Sequence, residues 1–395
     1  MATTIDVKGL LAEAKAMDPK VIEVRRTIHA HPELGLDLPI TQSLILNELA
    51  GMGISATPGR TISSVVGRID GALEGPTTLL RADMDALALV EETGLPFAST
   101  IPGLMHACGH DAHVAMLLGA AQLLMDHRDT LHGSVILAFQ PGEEGAGGAR
   151  RMIEEGLVDP APDRSYAQHV ITNLPSGLIA TRGGPMMASA DEFLITITGR
   201  GGHASAPHEA LDPIPVAAEL VVALQVALTR RVNVFDPAVL TVGQIDAGTT
   251  FNIIPELATI RGTFRTLSEE TRRVVEALVA RVAHGIADAH GVDVTVSFPM
   301  ESYPVTINDV AGAERALGLA RSLVGTSDVL AMEAPVMGAE DFSYLLQVSP
   351  GAMIFLGVAP PGSVQPAPNH SNRMLVDEAA LHRGVALHAL LALAE

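Results

Sequence analysis

One short stretch of the chain brings together residue types that bind metals or act as nucleophiles. Residues 103–113 read GLMHACGHDAH and contain the only cysteine, Cys108, with His106, His110 and His113 around it. A thiol beside an imidazole could be a nucleophile with its general base. The same two groups could instead be ligands of a cation such as Zn²⁺. The cluster could also be a chance grouping, and the rest of the chain has to distinguish among these three hypotheses.

Other ligand-type side chains occur at four further places, at predicted strand ends or in loops. They are Asp83 and Asp85 in ADMDA (82–86), Glu143 and Glu144 in QPGEEGAGG (140–148), His169 in YAQHV (166–170) and His370 in APNHSN (367–372). A lone loop histidine is more often a surface or hydrogen-bonded residue than a metal ligand. Either aspartate alone could likewise be a turn or helix-cap residue.

The pair Glu143–Glu144 is the hardest of these to explain without a ligand. Adjacent carboxylates repel each other, and this pair lies between a predicted buried strand and a glycine-rich turn, a poor place for a solvated charged face. A bound cation would relieve the repulsion and would separate the two roles. One carboxylate would bind the metal, and the other could act as a base.

The combined set favours a metal site. Cysteine, histidine and glutamate together suit Zn²⁺, with Mn²⁺ or Co²⁺ also conceivable. The ligands come from well-separated segments, the chain has no H-E-x-x-H motif, and its glycine strings lack dinucleotide or P-loop spacing. A metal-free enzyme with Cys108 as nucleophile and His110 as its base remains an alternative, but it leaves the glutamates and the distant histidines without a role.

The elements that would position these residues predict an α/β fold. Strands at 63–69, 77–82 and 134–140 alternate with helices at 110–129 and 148–156. Such alternation predicts a mainly parallel sheet with helices on both faces, in which functional residues gather beyond the carboxyl ends of the strands. A helix at 309–324, a strand at 352–358 and a final helix from Asp377 belong to the same domain.

Between these two parts the pattern changes to that of a complete smaller domain. Its predicted elements are a strand at 191–199, a helix at 212–231, strands at 238–246 and 257–266, a helix at 268–291 and a strand at 292–298. This β-α-β-β-α-β order is that of a ferredoxin-like unit. We therefore predict a catalytic domain whose first part is 1–187 and whose second part is 301–395, with an inserted domain at 188–300.

Composition limits the partners that the protein could have. Its 395 residues are 48% hydrophobic and 18% charged, with a formal net charge of −20. We therefore expect it to bind neither nucleic acid nor an anionic membrane. The longest apolar run, 114–125, is too short to span a membrane, and the N-terminus lacks the apolar region of a signal peptide. Because one cysteine cannot form an internal disulfide, we expect a cytoplasmic protein.

Seven motifs lie in order over nearly the whole chain and together resemble one known family. They are RRTIHAHPELG (25–35), RADMDAL (81–87), MHACGHDAH (105–113), FQPGEEGAGGARRMIEEGL (139–157), GRGGHASAPHEALDPI (199–214), NIIP (252–255) and MGAEDF (337–342). The chain resembles the aminoacylase/carboxypeptidase metallohydrolases of the peptidase M20 type. Within that family it looks most like hippurate hydrolases, N-acyl-amino-acid amidohydrolases and auxin-conjugate hydrolases.

The resemblance implies a site for two divalent metal ions per subunit, either Zn²⁺ or Mn²⁺, Co²⁺ or Ni²⁺. The implied ligands are Cys108, His110, Glu144, His169 and His370. Glu143 would be the general base and acid, and Asp85 would orient a metal ligand. The inserted domain would be a lid and a dimerisation surface. In it, the resemblance implies that His203 reaches the partner subunit's site to polarise the scissile carbonyl, and that Asn252 and Arg265 hold the substrate carboxylate.

The implied activity is metal-dependent hydrolysis of the amide bond of N-acyl amino acids by a homodimer. A dipeptidase or carboxypeptidase-like activity on the same scaffold is an alternative, and a non-catalytic binding protein is another. One departure from the family pattern is Gly142, where alanine is expected before the two glutamates. We interpret His29, His31, His106 and His113 as structural residues.

Overall fold

An eight-stranded mixed sheet forms the first of two structural units. The computed structural model describes residues 5–298 and 302–394. The first unit contains the described residues up to Met186, Ile307–Ala334 and those from Asp341 onward; the second contains Pro335–Glu340 and the described part of Met187–Thr306. The second unit begins next to the predicted junction at 187–188, whereas the predicted boundary at 300–301 lies outside the described residues. The roles assigned to the predicted domains stay predictions.

The elements are numbered in chain order over the described residues. The helices are α1 (Val7–Ala16), α2 (Asp18–His29), α3 (Pro39–Gly51), α4 (His110–Asp126), α5 (Gly148–Glu154), α6 (Pro213–Arg231), α7 (Glu269–His290), α8 (Val310–Val324), α9 (Ser343–Leu346) and α10 (Leu381–Leu393). The strands are β1 (Ser55–Pro58), β2 (Val65–Asp70), β3 (Leu73–Asp83), β4 (His132–Gln140), β5 (Arg164–Ile171), β6 (Ile179–Thr181), β7 (Gly184–Met187), β8 (Asp191–Thr198), β9 (Gly202–His203), β10 (Ala238–Ala247), β11 (Ile253–Ile254), β12 (Leu257–Thr266), β13 (Asp293–Ser297), β14 (Thr306–Asn308), β15 (Val329–Ala331) and β16 (Gly351–Gly357).

The central strands of the eight-stranded sheet are parallel. The strand order is β1-β2-β4-β3-β5-β16-β6-β15. Strand β3 pairs in parallel with β4 and β5, and β5 pairs in parallel with β16. Antiparallel pairs join β1 to β2, β2 to β4 and β6 to β16. The predicted α/β fold with a largely parallel sheet is confirmed, with antiparallel pairing toward the margins.

The centre of this sheet is covered on both faces. Strand β4 is buried at every residue from Ser134 to Gln140, and β16 is buried along its whole length. Because successive side chains of a strand point to opposite faces, such continuous burial requires packing on both sides. Helix α4 packs against β3 and β5, and α8 packs against β6 and β16. Helix α4 ends at Asp126, before the predicted end at 129, because Arg128–Thr130 form a 3₁₀ turn.

The second unit is built on a four-stranded antiparallel sheet of order β10-β12-β8-β13. Its larger elements follow the chain as β8, α6, β10, β12, α7 and β13, which is the predicted β-α-β-β-α-β order. The segment Pro335–Glu340 joins this unit because the Ala188 N–H donates hydrogen bonds to the carbonyl oxygens of Val336 (3.1 Å) and Gly338 (2.9 Å). The role of this unit as lid and dimerisation surface stays a prediction.

Helix α6 buries one face in the core of the second unit. Its buried residues include Val216, Leu220 and Leu224, which share an apolar cluster with Phe193 of β8. By length and composition alone, α6 is also the one described helix that could cross a membrane. This is weak evidence for a membrane span, because a helix packed in a domain core meets the same criteria.

Candidate metal centre

Three parallel strands of the first unit end where the predicted ligands begin. Asp83 is the last residue of β3, Gln140 ends β4 shortly before Glu143 and Glu144, and His169 lies near the end of β5. Because parallel strands have their carboxyl ends at one edge of the sheet, the loops after β3, β4 and β5 are neighbours. The fold thereby collects residues that are far apart in the sequence.

The turn between Cys108 and His110 depends on Gly109. This glycine has φ +96°, in the left-handed region that residues with a side chain rarely adopt. A Cβ atom at this position would lie 2.2 Å from Cγ2 of Val170. Gly109 immediately precedes His110, the first residue of α4. The loop can therefore turn sharply into the helix and leave Cys108 and His110 close together.

The five predicted ligands and Glu143 form overlapping groups. Within each group the ligand atoms lie within 4.8 Å of one another, and the groups are Cys108–His110–His169, Cys108–Glu144–His370 and His110–Glu143–Glu144. Cys108 Sγ lies 3.3 Å from His169 Nε2, and Glu144 Oε1 lies 3.1 Å from His370 Nε2. The structure therefore brings all six of these side chains together.

The surroundings of His110 are compatible with a cation in this cluster. The side chain is fully buried, and neither ring nitrogen makes a hydrogen bond with a described residue. Carboxylate oxygens of Asp85 and Asp83 lie 3.4 Å from Nδ1 and 3.6 Å from Nε2, respectively. A buried polar atom without a hydrogen bond is unfavourable, and coordination of a metal by the ring would satisfy it.

Several side chains of the cluster have pKa values that are shifted from their ordinary values. Burial raises the pKa of the Cys108 thiol, and the nearby His110 opposes that rise. Hydrogen bonds with Cys108 and Glu144 raise the pKa of His370 to about 10. Burial would raise the pKa of Glu144, but the hydrogen bond with His370 and the charge of His110 lower it below its ordinary value. The pKa values of His110 and His370 are raised, whereas burial lowers that of His169. Protons on His110 and His370 thus balance the acidic groups, and a divalent cation could replace those protons.

Asp85 supports the loop that carries both glutamates. Its Oδ1 accepts a hydrogen bond from the Glu143 N–H and its Oδ2 one from the Glu144 N–H, both at 3.0 Å. The preceding Gly142 has φ +73°, and a Cβ there would lie 2.5 Å from Cδ2 of Leu36. The glycine that departs from the family pattern therefore suits this backbone conformation.

A buried network beside the cluster was not predicted from the sequence. The Arg81 guanidinium donates hydrogen bonds to Asp83 Oδ2 at 2.7 Å and to Asp341 Oδ1 at 2.9 Å. Asp341 Oδ1 also accepts one from Gln140 Nε2 at 2.8 Å. All four side chains are at most 1% exposed. The sequence marked Asp83 as an acid at a strand end, but nothing in it paired Arg81 with a residue 260 positions away.

Two of the four histidines interpreted as structural, His113 and His29, make buried hydrogen bonds with aspartates. His113 contacts Asp83 through Nδ1, and its Nε2 accepts a hydrogen bond from the Val170 N–H at 2.8 Å. His113 thus links the end of β3 to the strand that carries His169. His29 Nδ1 lies 2.8 Å from Asp111 Oδ2.

The remaining predicted residues, His203, Asn252 and Arg265, belong to the second unit. His203 in β9 pairs with Ile253 in β11, and the Ala204 N–H donates to the Asn252 carbonyl oxygen at 3.1 Å. His203 Nδ1 accepts a hydrogen bond from the Ser205 N–H at 3.1 Å, so a neutral ring carries its proton on Nε2. Arg265 in β12 donates to the Met337 carbonyl oxygen at 3.0 Å. Their roles toward a substrate stay predictions.

Known proteins share this fold over nearly the whole chain. The profile of peptidase family M20/M25/M40 matches residues 79–394. The chain is 40% identical to thermostable carboxypeptidase 1 of Saccharolobus solfataricus, over 98% of both chains. It is 39% identical to N-acetyl-L-cysteine deacetylase of Bacillus subtilis, over 86% of this chain and 81% of the relative. The solved structure of the Bacillus subtilis YXEP protein, described as a dinuclear metal-binding peptidase of the M20 family, has a TM-score of 0.82 at 34% identity and covers 96% of this chain and 98% of its own.

The fold, the donor cluster and these relatives together define a class of enzyme, the metal-dependent hydrolases of amide bonds. The chain belongs to peptidase family M20/M25/M40. It is a hydrolase that acts on amides and uses divalent metal ions.

Proposed function

We propose that this protein hydrolyses N-acyl amino acids to a carboxylic acid and a free amino acid, with two divalent metal ions per subunit. One observation carries the proposal. Five metal-type donors from four separate segments lie together with Glu143, beyond the carboxyl ends of parallel strands. A non-catalytic binding protein would have no use for a carboxylate, Glu143, beside such a donor set.

The proposed ligands are Cys108, His110, Glu144, His169 and His370. One thiolate, three imidazoles and one carboxylate suit Zn²⁺, and Mn²⁺, Co²⁺ or Ni²⁺ are further candidates. When bound, such ions polarise a carbonyl oxygen and lower the pKa of a bound water toward about 7. The donor set and the unsatisfied ring of His110 fit this assignment.

The protein's own residues would move the protons. Glu143 would take a proton from the attacking water and give it to the leaving amine, as a general base and then a general acid. Its backbone is held by Asp85, and its side chain is only 6% exposed. His203 would donate its Nε2–H to the oxygen of the scissile carbonyl, which gains negative charge during the reaction.

Arg265 and Asn252 would recognise the free carboxylate of the amino-acid product. A guanidinium can bind a carboxylate through two parallel hydrogen bonds, which favours substrates with an unblocked α-carboxyl group. The relative that acts on N-acetyl-L-cysteine supports an N-acyl amino acid as substrate. The relative named as a carboxypeptidase favours the second candidate, a carboxypeptidase or dipeptidase activity.

A comparison of matched substrates tests this proposal. N-acetyl and N-benzoyl amino acids should be hydrolysed faster than dipeptides of the same C-terminal residue. Amidation of the α-carboxyl group should lower kcat/KM by roughly 10- to 100-fold, since hydrogen bonds to charged groups contribute about 1.5–3 kcal/mol. Arg265→Leu should remove this discrimination, whereas Arg261→Leu, an exposed arginine of the same strand, should keep it. Faster hydrolysis of dipeptides would favour the second candidate.

We also propose a homodimer formed through the second unit, in the cytoplasm. Val222 and Val226 of α6 are 64% and 56% exposed, and β10 is an edge strand of the described sheet. Exposed apolar side chains and strand edges are surfaces that other chains cover. Val226→Glu should shift the sedimentation coefficient to that of a monomer, and an unchanged dimer would contradict this interface.

The proposed cytoplasmic location rests on the single cysteine, which fits a reducing compartment.

A further inference from the structure

Asn369 is the chain neighbour of one proposed ligand. Its side chain is hydrogen-bonded to the backbone of a second ligand and to the backbone next to a third. Asn369 directly precedes His370 in the chain. Its side-chain Nδ2 donates to the Cys108 carbonyl oxygen at 3.0 Å and to the Val170 carbonyl oxygen at 2.9 Å. Val170 directly follows His169 in β5. One amide group therefore connects three segments that come together only in the folded chain.

The other end of the same amide is also hydrogen-bonded. Asn369 Oδ1 accepts from the Thr172 N–H at 3.2 Å and from the Thr172 hydroxyl at 3.3 Å. That hydroxyl also donates to the Ala367 carbonyl oxygen at 2.9 Å. A primary amide has two donor hydrogens and one acceptor oxygen, so contacts at both ends fix its orientation. Replacement by an apolar side chain would remove all of these contacts.

His370 depends on such support because packing does not hold its ring. The side chain is 55% exposed. Its backbone has φ +68°, the one positive φ of a non-glycine residue in the described chain. This conformation is unfavourable for a residue with a Cβ atom and persists only where neighbouring contacts impose it. The His370 N–H donates to the Ala107 carbonyl oxygen at 2.6 Å, and the neighbouring Asn369 supplies the contacts to Cys108 and Val170.

We propose that Asn369 is a positioning residue that holds Cys108, His169 and His370 at the spacing required for metal binding. It acts through backbone carbonyl oxygens and does not itself bind the metal or the substrate. The inference rests on the proposed metal site. Groups that orient metal ligands through hydrogen bonds contribute about 10- to 100-fold to metal affinity or activity. We expect Asn369 to contribute within this range.

Cobalt binding to the metal-stripped full-length protein tests the inference. Asn369→Leu keeps nearly the same side-chain size but has no donor or acceptor. Its Co²⁺ affinity, measured by competition with a coloured chelator, should fall by about 10- to 100-fold. The thiolate-to-cobalt absorption band of Cys108 should also be weaker or shifted in the variant at saturating Co²⁺. A residue that only stabilised the fold would lower the stability of the metal-free protein but leave that saturated spectrum unchanged.

Asn372→Ala is the matched control, because Asn372 lies in the same loop and its side chain makes none of these contacts. It should keep wild-type Co²⁺ affinity and spectrum. Wild-type affinity and spectrum in folded Asn369→Leu would overturn the inference. If Asn369→Leu does not fold, Thr172→Val removes only the hydroxyl contacts and should weaken Co²⁺ binding in the same direction; unchanged affinity would again overturn it. Failure of the wild-type protein to bind Co²⁺ through Cys108 would instead contradict the proposed function.

Discussion

Glu143 and Glu144 are neighbours in the chain but have different surroundings. Glu144 shares a donor group with Cys108 and lies 3.1 Å from His370. Glu143 groups with His110 and Glu144, whereas the backbone N–H groups of both glutamates are bound by Asp85. The resemblance assigns the two residues different roles, with Glu144 as ligand and Glu143 as base, and this assignment stays a prediction. The two roles predict different consequences for the same substitution.

Glu143→Gln should keep its bound metal and lose at least about 100-fold in kcat, because glutamine cannot accept the proton of the attacking water. Metal analysis and steady-state kinetics on the same sample measure both quantities. Glu144→Gln is the matched control, and it should lose metal as well as activity. Near-normal turnover by Glu143→Gln would rule out this carboxylate as the base.

Cys108 should be needed for metal binding because its thiol lies close to ligands from three other segments. Cys108→Ala should therefore lose metal affinity, whereas Cys108→Asp, which restores an anionic donor, should retain part of it. The bound metal per chain after dialysis against a weak chelator measures the difference. Full metal content in Cys108→Ala would show that the thiol is not a ligand.

At the scale of elements, the site depends on tight turns at the ends of strands and at the start of α4. Gly109 allows the turn between two proposed ligands, and Gly142 allows the turn that leads to the glutamates. In both turns φ is positive and a Cβ atom would collide with a neighbouring side chain. The backbone of these loops, and not only their side chains, therefore places the donor atoms.

Gly142→Ala should lower the free energy of unfolding by at least about 1–2 kcal/mol, the cost of a left-handed conformation for a residue with a side chain. The expected collision with Leu36 adds to this cost. Gly285→Ala is the control, because Gly285 lies within helix α7 and a Cβ there meets no atom within 4 Å. It should stabilise the protein by up to about 1 kcal/mol. Urea unfolding of both variants gives the comparison, and a Gly142→Ala protein as stable as wild type would contradict this description of the turn.

The sequence predicted most of the long elements from residue 63 onward because their signals are local, but it did not predict helices α1, α2 and α3. Strand 257–266 and the start of α4 at residue 110 agree with the structure, and apolar periodicity and glycine positions are enough to find them. Local patterns could not predict the contacts of Arg81 with Asp341 or of Asn369 with Cys108, which are 260 and 261 residues apart. The positive φ of His370 could not be predicted either, because a histidine in the sequence does not by itself indicate a left-handed backbone conformation.

At the scale of the whole molecule, the proposed homodimer shares each active site between two subunits. The resemblance assigns His203 to the partner subunit's site, while Glu143 belongs to the subunit's own site. His203→Ala and Glu143→Gln proteins should each be inactive. If they exchange subunits at random, one site of each mixed dimer is complete, and about a quarter of wild-type activity should return. No recovery in a mixture shown to contain mixed dimers would place His203 in its own subunit's site.

The proposed activity depends on metal ions held by the cluster around Cys108. The most direct measurement is hydrolysis of an N-acetyl amino acid by the metal-stripped protein during titration with Zn²⁺, Mn²⁺ or Co²⁺. Activity should be absent after stripping and should return with the ions, reaching a plateau at two ions per chain. Full activity of the stripped protein would contradict the account and favour Cys108 as a nucleophile.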